Sequence, residues 1–126
     1  MVRYELQDAL NLVIATFERQ VSAQDILDFF KGIEQDPKYR PSMNGLADMR
    51  GATIDLAAEE VRDLAQYAAE GAFKQGKWAL LVTDPKATAF AMLYRQGVGE
   101  SYPVQVFSSV EGAAAYLGVE LSGLLD

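Results

Sequence analysis

The chain is expected to fold as one α/β domain spanning residues 1–126, built on a mixed, mainly parallel sheet. Three features predict this class. Short runs suited to strands alternate with helical periodicities, acids and serines stand where helices would open, and a polar break near the N-terminus separates two strands. At 126 residues and 50% apolar content, the chain can close a core without disulfides or metal.

Tyr4-Glu5-Leu6 and Leu12–Phe17 read as two strands divided by Gln7–Asn11, which implies an antiparallel hairpin. Ser22 with Asp25 forms a capping box, and Ile26, Phe29, Phe30 and Ile33 follow at helical spacing. This first helix should stop before Pro37, because proline disfavours helical backbone in the residue ahead of it. Asp36–Ser42, with two prolines, then connects to a strand from Gly45 to Met49.

A second helix opens after Asp55, with Glu59 and Glu60 in its first turn, where negative charge suits the helix dipole. Its inner face is Val61, Leu64, Ala65, Ala68 and Ala72, mostly small side chains that let it lie close to a sheet. Trp78–Val82 is a continuous apolar run, expected as a central strand covered on both faces. Asp84 caps a third helix with Pro85 at its first position, where the N–H that proline lacks would be unused. Val104–Phe107 is the last strand. Ser108 with Glu111 reads as a further capping box, and Val110, Ala113, Ala114 and Leu117 give a final helix that Gly118 ends. The order is β-β-α-β-α-β-α-β-α.

Composition removes several function classes. A net charge of -7 repels nucleic-acid phosphates and anionic headgroups, so neither nucleic acid nor an anionic membrane surface is an expected electrostatic partner. The absence of cysteine and histidine withdraws the usual zinc and copper ligands, the Ser-His and Cys-His nucleophile systems and the commonest neutral-pH base. No catalytic set, metal or cofactor is therefore expected. Gly-x-Gly-x-x-Gly and P-loop patterns are missing as well. Glu59, Glu60 and Asp63 share one helix without a calcium loop and read as a solvated face, as do Asp25 and Asp28. Lys74, Lys77 and Lys86 are too dispersed for a nucleic-acid surface. No segment approaches transmembrane length, and a cytoplasmic location is the default expectation.

The stretch Leu46–Ala57 is the most informative for function. It reads as an apolar strand that ends in Asp48 and Arg50-Gly51, with Asp55 opening the next helix. Strand ends and helix N-termini gather on one edge of a parallel sheet and present free N–H groups there. Asp48, Arg50, Asp55, Thr83, Asp84 and Ser108 form the candidate partner- or ligand-binding edge. Caps and local ion pairs account for much of this set, and Arg50 stands out because it can hold a carboxylate or phosphate bidentately.

The element order, this helix-opening segment, and the wording Asp28-Phe29-Phe30-Lys31-Gly32-Ile33 and Trp78-Ala79-Leu80-Leu81-Val82 resemble the SpoIIAA-like family of the STAS superfamily, the fold of anti-sigma-factor antagonists. The resemblance covers nearly the whole chain. In antagonist members it implies an Asp-Ser at the helix start, whose serine a partner kinase phosphorylates. Asp48 and Asp55 match the two acids, but Leu56 and Ala57 occupy the serine's place and neither can carry a phosphoryl group. Thr53 is a substitute acceptor or, more commonly for such a residue, a strand former.

The SpoIIAA-like branch is also similar in shape to CRAL-TRIO lipid-binding domains, which directs attention to the third helix. Ala87, Phe90, Ala91 and Tyr94 form one face, and Ala89, Met92 and Leu93 extend the apolar surface around it. Phe90, Met92, Leu93 and Tyr94 are accordingly the candidate apolar surface or ligand cavity. Neighbouring helices, a homodimer partner, a lipophilic small molecule or a peripheral membrane contact are the candidates to cover it. Tyr39 is read either as a partner anchor or as a side chain packed over its loop. The expected function is a non-enzymatic regulatory or binding module that recognises a protein partner without a phosphoserine switch. A carrier or sensor of a lipophilic small molecule is the alternative.

Overall fold

A computed structural model of the chain describes residues 1–71, 73 and 75–125, so Ala72 and Lys74, both named above, lie outside the described residues. The elements follow the expected order: β1 (Val2–Gln7), β2 (Leu12–Val21), α1 (Ala23–Gln35), β3 (Asn44–Ile54), α2 (Ala58–Glu70), β4 (Trp78–Leu81), α3 (Pro85–Val98), β5 (Val104–Phe107) and α4 (Val110–Leu117). The five strands lie side by side in sequence order, β1 antiparallel to β2 and every later neighbour parallel.

Local chemistry sets most boundaries where expected. The Ser22 hydroxyl accepts from the Asp25 N–H while the Asp25 carboxylate accepts from the Ser22 N–H, a reciprocal box that starts α1. That helix ends at Gln35, just ahead of Pro37. Asp84 accepts from the Lys86 and Ala87 N–H groups with Pro85 at the first helical position, and Gly118 ends α4 at φ 71°, a left-handed conformation that suits glycine. The Asp36–Ser42 connection is tied to the β1–β2 turn by Arg40, whose guanidinium donates to Asp8 at 2.5 Å and Asn11 at 3.0 Å. That cation holds the Asp8 carboxyl below the usual carboxylate range.

Several boundaries differ from expectation, and strand β2, expected to end at Phe17, runs on to Val21. Strand β3 does not stop at Met49 but continues to Ile54, paired with β2 as far as Val21. A bulge lets it do so: Phe17 of β2 faces both Met49 and Arg50, and the extra residue shifts the alternation so that Ala52 and Ile54, not Gly51 and Thr53, turn to the core. Asp55 does not cap α2. The N-cap is Ala57, whose side chain can accept nothing, and the Glu60 carboxylate takes the Ala57 N–H instead. Ser108 does not cap α4 either; Ser109 does, accepting from the Gly112 N–H at 3.1 Å.

Parallel strands that add in one direction, joined by crossovers of one hand, place α1, α2 and α3 on one face of the sheet. The buried clusters show this division. Val13, Phe17, Ala47, Trp78 and Leu80 pack with residues of those three helices, whereas Ile14, Leu46, Ala79 and Leu81 pack with α4 and Leu121. The first cluster is aromatic at its centre. Phe29, Phe30, Phe73 and Trp78 meet at ring distances of 5.4–6.3 Å, and Gly45 is obligatory beneath them because a Cβ there would sit 2.3 Å from the Trp78 ring. Strand β4 is buried throughout between β3 and β5, as an interior strand of this sheet must be.

Candidate functional site

The predicted edge divides into two places on opposite faces of the sheet. Asp48 lies mid-strand in register with Thr16 and Leu81, on the α4 face, at the level where β4 ends and β2 and β3 run on. Its carboxylate is 9% exposed by residue and receives a bidentate pair from Arg50, Nε to Oδ1 and Nη2 to Oδ2, both at 3.0 Å. The Arg50 N–H also donates to Oδ1 at 3.2 Å, which the bulge makes reachable. Arg50 thus holds a carboxylate of the chain itself in the bidentate geometry its guanidinium favours, on the α4 face.

Asp55, Leu56 and the start of α2 lie on the other face. There they meet α3, and a groove of about 210 Å³ forms, lined by Ile54, Asp55, Leu56, Val61, Lys86, Phe90 and Leu93 among others. The Asp55 carboxylate and the Lys86 ammonium span its rim at 3.3 Å, both well exposed. A shallower depression continues along α3 past Ala89 and Leu93 to Met92, which is 50% exposed, and Arg95. Two residue sets that the sequence presented separately, the helix-opening segment and the apolar flank of α3, thus share one surface.

The remaining predicted residues scatter. Asp84 is the cap described above, Thr83 and Ser108 are exposed after β4 and β5, and Ala57 is exposed at the mouth of α2. Phe90 and Tyr94 are each 6% exposed and face inward, so the apolar surface of α3 is carried by Leu93 and Met92. Tyr39 packs against Phe73, with ring centroids 6.2 Å apart, and burial pushes its hydroxyl up to about 12. Lys86, dismissed above as a dispersed cation, belongs to the groove. Nothing in its sequence spacing from Asp55 announces this, because adjacent crossovers of a parallel sheet bring the two together.

Behind the groove lies a small cavity of about 30 Å³ between the sheet, α1 and α3. Its walls are apolar and mostly aromatic, so it has room for a water but few polar groups to hold one. The Tyr94 and Tyr102 hydroxyls bond to each other at 2.5 Å beside it, and burial raises both far above the ordinary tyrosine value. Trp78 lines the cavity as well, and its indole Nε1 has no hydrogen-bond partner. Phe90 belongs to both linings and forms the partition between cavity and groove.

Among the described residues, no group of three or more acids has the geometry to hold a metal, and no helix is long and apolar enough to cross a membrane. In comparisons with known proteins, no family model matches the chain and no curated protein matches it significantly.

Proposed function

We propose that the protein is a non-enzymatic binding module that recognises a protein partner through the groove between the β3–α2 connection and α3. One observation carries this reading: Asp55 and Leu56 line the same groove as Phe90 and Leu93. An apolar floor flanked by one acid and one base suits an apolar anchor side chain with polar groups beside it, the common anatomy of a protein interface. The SpoIIAA-like kinship belongs to the same proposal, as does a cytoplasmic location. On this reading partner binding is not switched by phosphoserine, since Leu56 and Ala57 stand at the helix start.

The test is recovery of a partner on immobilised protein. A partner enriched by the wild type should be lost with Leu56→Glu combined with Leu93→Glu, both half-buried groove positions, while the melting temperature changes little. Equal recovery by that variant overturns the groove as the site.

A second reading, a carrier of a lipophilic small molecule, is favoured by the position of Phe90 between groove and cavity. The cavity of about 30 Å³ is an order of magnitude below the ~300–1,000 Å³ of ordinary ligand pockets, so loading would require Phe90 to swing and α3 to part from α2. Native mass spectrometry distinguishes the readings. A persistent added mass favours the carrier, and a bare chain favours the module.

A further inference from the structure

We infer that a second copy of this chain docks on the outer edge of β1, so that two sheets join antiparallel about a two-fold axis at Tyr4. Alternate residues of that edge leave their backbone groups unpaired. Glu18 donates its N–H to the Met1 carbonyl at 2.9 Å, and the Met1 nitrogen donates to the Glu18 carbonyl at 3.0 Å. Met1 and Glu18 are therefore a hydrogen-bonded pair of the antiparallel ladder, and the pairing alternates from there along the register Val2↔Phe17 to Gln7↔Leu12. Arg3, Glu5 and Gln7 point their N–H and C=O toward β2. Val2, Tyr4 and Leu6 point theirs outward, off the sheet.

An antiparallel copy centred on Tyr4 meets this pattern group for group. Tyr4 faces Tyr4 of the second copy and Val2 faces Leu6, each facing pair exchanging both backbone bonds. Arg3 then faces Glu5 of the second copy in a non-hydrogen-bonded position, where side chains approach most closely. The same relation repeats across the axis, as a two-fold requires. Sliding the second copy to centre on Arg3 or Glu5 would set like charges opposite each other, so charge selects the Tyr4 register.

The side chains of β1 are already divided between the two faces as this pairing needs. Arg3 and Glu5 are exposed on the face that no helix covers near β1, and Arg3 is held extended across that face by Glu18, with Nη2 to Oε1 at 2.6 Å. Val2, Tyr4 and Leu6 are partly buried against the α1 side of the sheet. Tyr4 is anchored there by its hydroxyl, which donates to Asp36 Oδ2 at 3.0 Å. Pairing would extend both faces without moving Tyr4, while Arg3, drawn toward β2 by Glu18, and Glu5, which accepts from Gln7 Nε2, turn outward to meet across the axis.

The experiment is sedimentation equilibrium of the full chain over a wide concentration range, with amide hydrogen exchange. The mass should rise with concentration from 13.8 kDa toward twice that value, and exchange at Val2, Tyr4 and Leu6 should slow as it does. Exchange at Arg3 and Glu5, already bonded to β2, should not change. Glu5→Arg places like charges opposite and should weaken association at least ~10-fold. The combined exchange Arg3→Glu, Glu5→Arg and Glu18→Arg restores both the intrachain and cross-axis pairs and should return most of it. A mass that stays at the monomer value, association undiminished in Glu5→Arg, or protection that appears on α3 instead of β1 each overturns the proposal.

Discussion

The two faces of the sheet are covered in different ways. Three helices close one face over an aromatic cluster in which Phe29, Phe30, Phe73, Trp78, Tyr94 and Tyr102 pack together. The eight-residue α4 covers only part of the other, over an aliphatic patch of Leu12, Ile14, Leu46, Ala79 and Leu81. Beyond that patch the sheet is left with charges matched within the chain, Arg3 to Glu18 and Arg50 to Asp48. The first face stores its stability in burial of large rings. The second manages exposure by pairing charge, and the groove that Asp55 and Lys86 rim opens where the first face runs out, at the mouth of α2 and α3.

Raising the pH should break the aromatic face first. Burial raises Tyr94 and Tyr102 well above the ordinary value of 10.0, and Tyr39 to about 12. Above pH 10 the unfolded chain loses these protons while the native chain keeps them, so the native state binds more protons and its stability falls as pH rises. Below that point both states are protonated and the contribution is complete. Thermal unfolding followed with tyrosinate absorbance should show a flat stability to about pH 10 and a steep decline through pH 12. A transition that instead tracks only exposed tyrosines would refute this.

Truncation separates the faces next. Phe30→Ala removes a ring that touches Phe29, Phe73 and Tyr94 and should cost ~3–5 kcal/mol in denaturant unfolding. Leu117→Ala, on the buried side of the thinner α4 cover, should fall near ~2 kcal/mol, at the low end for a buried leucine.

Arg50→Ala sharpens the assignment of function to one face. It leaves the Asp48 carboxylate largely buried without its bidentate cation and should cost ~1–2 kcal/mol, discounted because Arg50 is partly exposed. It should leave partner recovery through the groove unchanged, since it lies on the opposite face. Loss of recovery at intact stability would return the site to Arg50. The smallest effect is expected at the α4 start: Ser109→Ala should cost ~1 kcal/mol, and Ser108→Ala less than ~0.5 kcal/mol.

Local signals made much of the fold legible. Ser22 with Asp25, Asp84 with Pro85, and Gly118 act on backbone groups within a turn of themselves, so their sequence pattern is their mechanism. The misplacements arose where a distant partner overrode local preference. Arg50-Gly51 looks like a strand exit, but pairing with β2 and burial of Ala52 and Ile54 carry the strand on past it. Ser108 is the better cap by local pattern, with Glu111 three residues on, yet the helix starts one residue later and the Gly112 N–H goes to Ser109.

The candidate site was legible as two lists and not as a place. Alternating apolar runs and caps depend on neighbours within one turn or one strand, so the order of elements and the absence of histidine and cysteine chemistry could be read from the chain alone. Which face each residue occupies depends on strand order and on a single bulged residue. One bulge turned the alternation of β3, and unidirectional addition of parallel strands put three helices on one side. Those long-range choices separated Arg50 from Asp55 and brought Asp55 to Lys86, because contact across a sheet follows from register and topology, which no local pattern encodes.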